Sequence, residues 1–259
     1  MTHSLGKIDL YGWRGRVGLI LPADNVLMEP ELNALRIPGV SFHGLRLTET
    51  EPEAMRRQSL ELARAVHELG LDVVVYACAE TSFNGGDGVR TSLADEIQRV
   101  AGVPVITATN ALLAALHATG ARSIALATPY SVASAEILET TIVEHGFRVT
   151  ASVHRDFSLE TEDPRVWYLT NRQPATRSYE LAKAVENAEA DTLVIVSTNW
   201  ATLQIVEYLE ADTGKQVLTT NQCILWWCLR QLRVQQPGLR IGALLESPTA
   251  VESTIPVGP

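Results

Sequence analysis

Cysteine is scarce in this sequence, with three residues among 259. An odd number without the spacing of a disulfide framework fits a reducing compartment and predicts a cytoplasmic protein. Positive charge is also short: 21 Lys and Arg stand against 30 Asp and Glu, for a net charge of −9. With no basic stretch interleaved with aromatics, that balance argues against a nucleic-acid partner. No apolar run reaches the ~18 residues a membrane span needs, so no membrane partner is expected. The opening MTHSLGKIDLYGWRGR lacks the apolar core of a signal peptide. The glycine-rich NGGDG at 84–88 carries neither GxGxxG nor GK[ST], which sets aside a nucleotide-binding loop. His43, His67, His117, His145 and His154 show no metal-ligand spacing.

What is present is an alternation of strand and helix. RVGLILP (16–22) reads as a buried strand, and residues 52–69 place Met55, Leu62, Val66 and Leu69 at helical spacing, with Gly70 as the stop. LDVVVYAC (71–78) is a continuous β-branched run of the kind found in sheets covered on both faces. A helix over 92–100, a strand over 103–109 and a helix over 111–120 follow. The pattern then restarts with a strand at 122–129, a helix from Ser134 to His145, a helix at 178–188, and strands at 191–198 and 215–221. The apolar helix CILWWCLRQL (223–232) comes last, and its Cys223, Cys228, Trp226 and Trp227 read as packing residues.

The two halves echo one another. VGLILPAD matches IALATPYS, LDVVVYACAE matches ADTLVIVSTNW, and VPVITATNALL matches KQVLTTNQCIL. The repeat predicts two α/β lobes related by a pseudo-two-fold axis. The first spans 1–120, completed by the C-terminal helix and tail from about residue 222 to 259, and the second spans 121–221. By eye it pairs Cys78 with Thr198, each closing a strand, and Asn110 with Asn221. A cysteine at the carboxyl end of a parallel strand sits where open α/β sheets bind ligands, so Cys78 is expected in a cleft with Thr198 facing it.

VGLILPADNVLMEPEL, YACAETSF, ALATPY, VSTNWATL and TTNQCILWWCLR, in that order and spacing, resemble the aspartate/glutamate racemase superfamily. The likeness is to the branch holding maleate cis-trans isomerases and arylmalonate decarboxylases, and it covers roughly residues 14–247. It implies two Rossmann-like (flavodoxin-like) lobes with parallel sheets and an active site in the interlobe cleft. It further implies chemistry at the α-carbon of a small carboxylate substrate with no metal and no organic cofactor. Self-association into a homo-oligomer stays open.

In that family, racemases and maleate isomerases place a cysteine in each lobe, and the decarboxylases keep only the second-lobe cysteine. This chain does the reverse, with Cys78 at the first site and Thr198 at the second. Threonine is a weak acid and base. One thiol therefore favours one-sided chemistry, with decarboxylation through an enediolate preferred and Cys78 as proton donor. Cis-trans isomerisation or racemisation, with Cys78 as nucleophile or acid/base, is the alternative, and a non-catalytic small-molecule binder is the rival from another class.

By resemblance, Tyr130 matches the tyrosine of the decarboxylases' enediolate pocket, and Asn25 matches the carboxylate-holding asparagine of maleate isomerases. Asn171 has a similar part on a looser match. The backbone amides of Ala79 and Asn199, which follow Cys78 and Thr198, are further expected donors. Where the decarboxylases have Thr-Ser, this chain has Ala79-Glu80, which leaves Thr81 and Ser82 to supply hydroxyls. Glu80 either points to solvent or faces the cleft. Facing inward, it would repel a malonate and suit a substrate bearing an amino or amidinium group.

Overall fold

Short runs of β-branched and aliphatic residues separated by glycine-capped helices leave the chain one economical solution, parallel strands with helical crossovers. The structure is a computed structural model that describes residues 11–84, 87–160, 162, 166–187, 189–236 and 238–246. Part of NGGDG and the tail assigned to the first lobe beyond Glu246 lie outside these residues.

In the first half, β1 (Gly15–Pro22), α1 (Met28–Ala34), β2 (Val40–Leu47), α2 (Pro52–Ala63), α3 (Val66–Leu69) and β3 (Val73–Tyr76) come first. They are followed by α4 (Ala79–Phe83), α5 (Asp87–Ala101), β4 (Val105–Thr107) and α6 (Ala108–Thr119). The second half runs β5 (Ser123–Thr128), α7 (Val132–Glu144), β6 (Arg148–His154), α8 (Ala175–Val185), β7 (Thr192–Ile195), α9 (Val206–Thr213), β8 (Gln216–Thr219), α10 (Thr220–Gln231) and α11 (Ala243–Glu246). All strand pairs are parallel, and the sheet orders are β2-β1-β3-β4 and β6-β5-β7-β8. The second sheet thus repeats the first.

One apolar cluster joins the halves. Leu112, Leu113 and Leu116 of α6 pack with Ile224, Trp227 and Cys228 of α10, and strand residues from both sheets flank them. Cys223 and Cys228 are fully buried there, and burial pushes both thiols well above their ordinary range. Both helices start on matched N-caps: Thr107 Oγ1 accepts the Asn110 N–H, and Thr219 Oγ1 accepts the Gln222 N–H. Gln222 completes a reciprocal capping box.

Several elements depart from the sequence expectation. The helix over 52–69 is two helices, because Arg64 and Ala65 donate to carbonyls three residues back and tighten the turn between them. Edge strands β2 and β6 had no counterpart in the sequence reading; half-exposed along their length, they lack a continuous apolar run. Two residue pairings between the lobes, Cys78 with Thr198 and Asn110 with Asn221, are each one position off. Ala77 and Val196 donate to equivalent carbonyls of β1 and β5, Ile20 and Ala127, so Ser197 is the counterpart of Cys78. The caps likewise pair Asn110 with Gln222 and Thr109 with Asn221. Backbone registry, rather than identical letters, sets the correspondence.

Candidate active site

The first sheet reverses strand order between β1 and β3, and the loops leaving the carboxyl ends of these strands part there to form a crevice. The second sheet does the same between β5 and β7. The two crevices face each other around one cavity of about 620 Å³. Its first-half wall comes from Asp24 and Asn25 after β1, Thr48 and Glu49 after β2, and Cys78, Ala79, Glu80 and Thr81 after β3. Tyr130 and Ser131 after β5, Asp156 after β6, Thr170, and Ser197, Thr198 and Asn199 after β7 complete it.

Cys78 leaves β3 in extended conformation and is the N-cap of α4, a helical turn too short to show in the sequence pattern. The residue is 9% exposed. Burial pushes its thiol up to about 11, with the Glu80 and Asp24 carboxylates adding to the rise, while the Thr81 hydroxyl and amide, which bond the sulfur, hold it back. Tyr76 anchors Thr81 through a 2.8 Å hydroxyl contact. The site therefore presents a protonated thiol at neutral pH.

Thr198 faces this strand end, but its hydroxyl is engaged. It donates to the Ala77 carbonyl at 3.0 Å and accepts from Asn25 Nδ2 at 3.2 Å. Asn25 is buried, and its Oδ1 accepts the Leu27 and Met28 amides, which starts α1. Its Nδ2 retains a second N–H. The Tyr130 phenol is raised well above its ordinary range by burial and by the nearby Glu80 and Cys78, and it is hydrogen-bonded to Ser197. The Asn199 amide donates to Ser197 Oγ at 3.2 Å, and its side-chain Nδ2 donates to Asp24 Oδ2 at 3.1 Å.

Glu80 faces the cavity, which settles its orientation. Ser134 Oγ, at the start of α7 across the cleft, donates to its Oε1 at 2.6 Å. Asn171, expected at the site, does not line the cavity. Its Nδ2 donates to the Asp24 carbonyl at 2.7 Å and fastens the β1–α1 loop from behind. Ser82 is likewise turned away, bonded to the Ala79 carbonyl and to Thr109.

Sequence reasoning missed Asp24, Ser197 and Glu31. Glu31 lies behind the site, where its Oε1 accepts the Thr202 and Leu203 amides at 3.0 Å each. Its Oε2 accepts Asn221 Nδ2 at 2.8 Å, and that nitrogen is 3.3 Å from the Thr198 carbonyl. A carboxylate within the short helix α1, which the sequence reading did not mark, gives no sign along the chain of reaching the other lobe. Ser197 was legible in principle, as the residue the strand register places opposite Cys78.

Among the described residues no group of three or more His, Cys, Asp or Glu could hold a metal ion. No helix among them is long and apolar enough to cross a membrane.

The family model for arylmalonate decarboxylase matches residues 17–244, which takes in every loop of this cavity. The chain belongs to the arylmalonate decarboxylase family. Within the family it is similar to two enzymes of different activity. It is 27% identical over 254 residues to the maleate isomerase of Nocardia farcinica, covering 92% of this chain and 98% of that one. It is 25% identical over 214 residues to the arylmalonate decarboxylase of Bordetella bronchiseptica, covering 82% and 85%. A solved structure of the Nocardia farcinica maleate cis-trans isomerase, a mutant with a covalently bound succinylcysteine intermediate, superposes with a TM-score of 0.78. That match has 27% identity and covers 90% of this chain and 98% of the other. The family thus holds an isomerase and a lyase, both built on this two-sheet fold.

Proposed function

We propose that this protein decarboxylates a malonate-like acid through an enediolate, with Cys78 as the proton donor. The observation that carries the reading is the state of the two facing residues. Cys78 is held as a thiol by burial and by two neighbouring carboxylates, and the Thr198 hydroxyl is already given to Ala77. In the step, the bond between the α-carbon and one carboxylate breaks and carbon dioxide leaves. The electron pair stays on the α-carbon and spreads into the remaining carboxylate. Hydrogen-bond donors aimed at those oxygens lower the barrier because they are oriented before charge develops. Tyr130 and Asn25, both in the cavity wall, support this role. The Cys78 thiol then gives its proton to carbon, and water restores the thiol. A group with a pKa above neutrality serves well as an acid in a site where it starts protonated.

A second reading, cis-trans isomerisation of a maleate-type acid, draws support from the maleate isomerase relatives and from Asn25 in the cavity wall. It requires Cys78 as a thiolate nucleophile, a form this environment disfavours. Incubating the protein separately with phenylmalonate and maleate separates the readings. Carbon dioxide release from phenylmalonate that disappears in Cys78→Ala supports the decarboxylase. Fumarate formation from maleate without carbon dioxide release supports the isomerase. Unchanged carbon dioxide release in Cys78→Ala overturns the assignment of the acid.

A further inference from the structure

The cavity is unusual in charge for a site that takes a carboxylate. Among the described residues that line it there is no Lys or Arg, whereas Asp24, Glu49, Glu80 and Asp156 all do so. Arg46, the cation that acts on Asp24, is engaged outside the lining by Glu29 and the Asn25 carbonyl. Glu80 lies close enough to the reacting groups to raise both the Cys78 thiol and the Tyr130 phenol. Ser134 occupies its Oε1, and among the described residues no hydrogen bond to Oε2 is formed. A doubly anionic ligand beside Cys78 would meet Asp24, Glu49 and Glu80 with no Lys or Arg among the described lining residues to offset them, and like charges at short range repel one another.

We propose that the acid taken by this site carries a protonated nitrogen, an ammonium or amidinium group, next to its reacting carboxylate, and that Glu80 is the residue that selects it. The proposal rests on the reading that a small carboxylate binds beside Cys78. The two roles divide the cavity: Tyr130 and Asn25 serve the carboxylate end, and the free oxygen of Glu80 accepts from the nitrogen in a charge-assisted hydrogen bond. A cation near the α-carbon also offsets the negative charge that builds there when carbon dioxide leaves, so the selected group assists the reaction that it identifies. Glu80 is a specificity residue in this scheme and takes no proton to or from carbon.

Methylmalonate and aminomalonate are near-isosteres that differ in a methyl against an ammonium group, which makes them suitable probes. Calorimetric titration of the intact protein near neutral pH is expected to show aminomalonate binding at least about tenfold more tightly, the ratio given by about 1.4 kcal/mol. That preference should vanish in Glu80→Gln, which keeps the side chain's shape, and should shrink as salt is raised. It should persist in Glu61→Gln, a change of equal charge on the exposed face of α2. Equal or tighter binding of methylmalonate, no binding of aminomalonate, or a preference untouched by Glu80→Gln overturns the proposal. Carbon dioxide release from either acid that depends on Cys78 is read separately. Its presence without the preference leaves the decarboxylase standing, and its absence alongside the preference removes the decarboxylase alone.

Discussion

At the scale of single residues, the difference between Cys78 and the other two cysteines is one of surroundings. All three are buried and all three thiols are pushed up, yet of the three it is Cys78 that lines the interlobe cavity, at a strand end with a hydroxyl and an amide on its sulfur. If Cys78 acts as an acid, kcat/KM is expected to stay level from neutral to mildly alkaline pH and to fall as pH rises through about 11, where the thiol deprotonates in the folded protein. A nucleophilic role gives the opposite slope, with activity climbing toward the same value, so a pH–rate profile decides between them. Cys78→Ala should lower turnover roughly 100- to 10,000-fold, the contribution of a positioned general acid, with no change in melting temperature. Cys228→Ala should do the reverse. It opens a small cavity between α6 and α10, costs about 1 kcal/mol by chemical denaturation and leaves turnover intact.

At the scale of elements, the chemistry depends on how the β1–α1 segment is tied to the other lobe. Asp24 is bonded by Asn171 and Asn199, Asn25 by Thr198, and Glu31 by Thr202, Leu203 and Asn221. Three residues of one short segment, Asp24, Asn25 and Glu31, therefore reach across the cleft. Glu31→Ala would leave the Thr202 and Leu203 amides without this acceptor and remove one of the two partners of Asn221 Nδ2, in a buried place. It is expected to cost about 3 kcal/mol or more, at the upper end for a lost charged acceptor, measured by urea unfolding. Because Asn221 also meets the Thr198 carbonyl, the same variant should raise KM for whichever acid is turned over. A variant with full stability would show that these bonds contribute little. The sequence displayed α1 only weakly, seven residues with a proline inside its first turn, and carried no mark of its long-range role. The helical turn α4 and the edge strands β2 and β6 were missed for a related reason. Periodicity needs length and one-sided burial to register, and these elements are short or half-exposed.

At the scale of the whole molecule, two like lobes line one cavity from opposite sides, so in the decarboxylase reading their site residues would meet opposite faces of a planar intermediate. The decarboxylases that this chain resembles carry their cysteine in the second lobe, and here the thiol comes from the first. With the substrate bound in the same sense, a prochiral malonate must be protonated from the other face. Decarboxylation of a common arylmalonate should therefore yield the mirror image of the product made by the Bordetella bronchiseptica enzyme, as chiral chromatography would show. Thr198→Cys places an acid on each face and should erode that selectivity. Product of the same hand from both enzymes would mean a reversed substrate or a proton donor other than Cys78.

The sequence by itself determined the strand–helix alternation, the duplication, and the placing of Cys78 and Thr198 at strand ends, because each is written in local runs of a few residues: β-branched stretches, helical spacing and glycine stops. It also marked Asn25 and Tyr130 through the motifs around them. Only the tertiary structure decided which way Glu80 points, that the Thr198 hydroxyl is committed to Ala77, that Asn171 stands behind the wall, and that Ser197 is the true counterpart of Cys78. Those outcomes depend on hydrogen bonds between residues from 54 to 173 positions apart and on backbone register. Neither leaves a trace in the spacing of side chains along one segment.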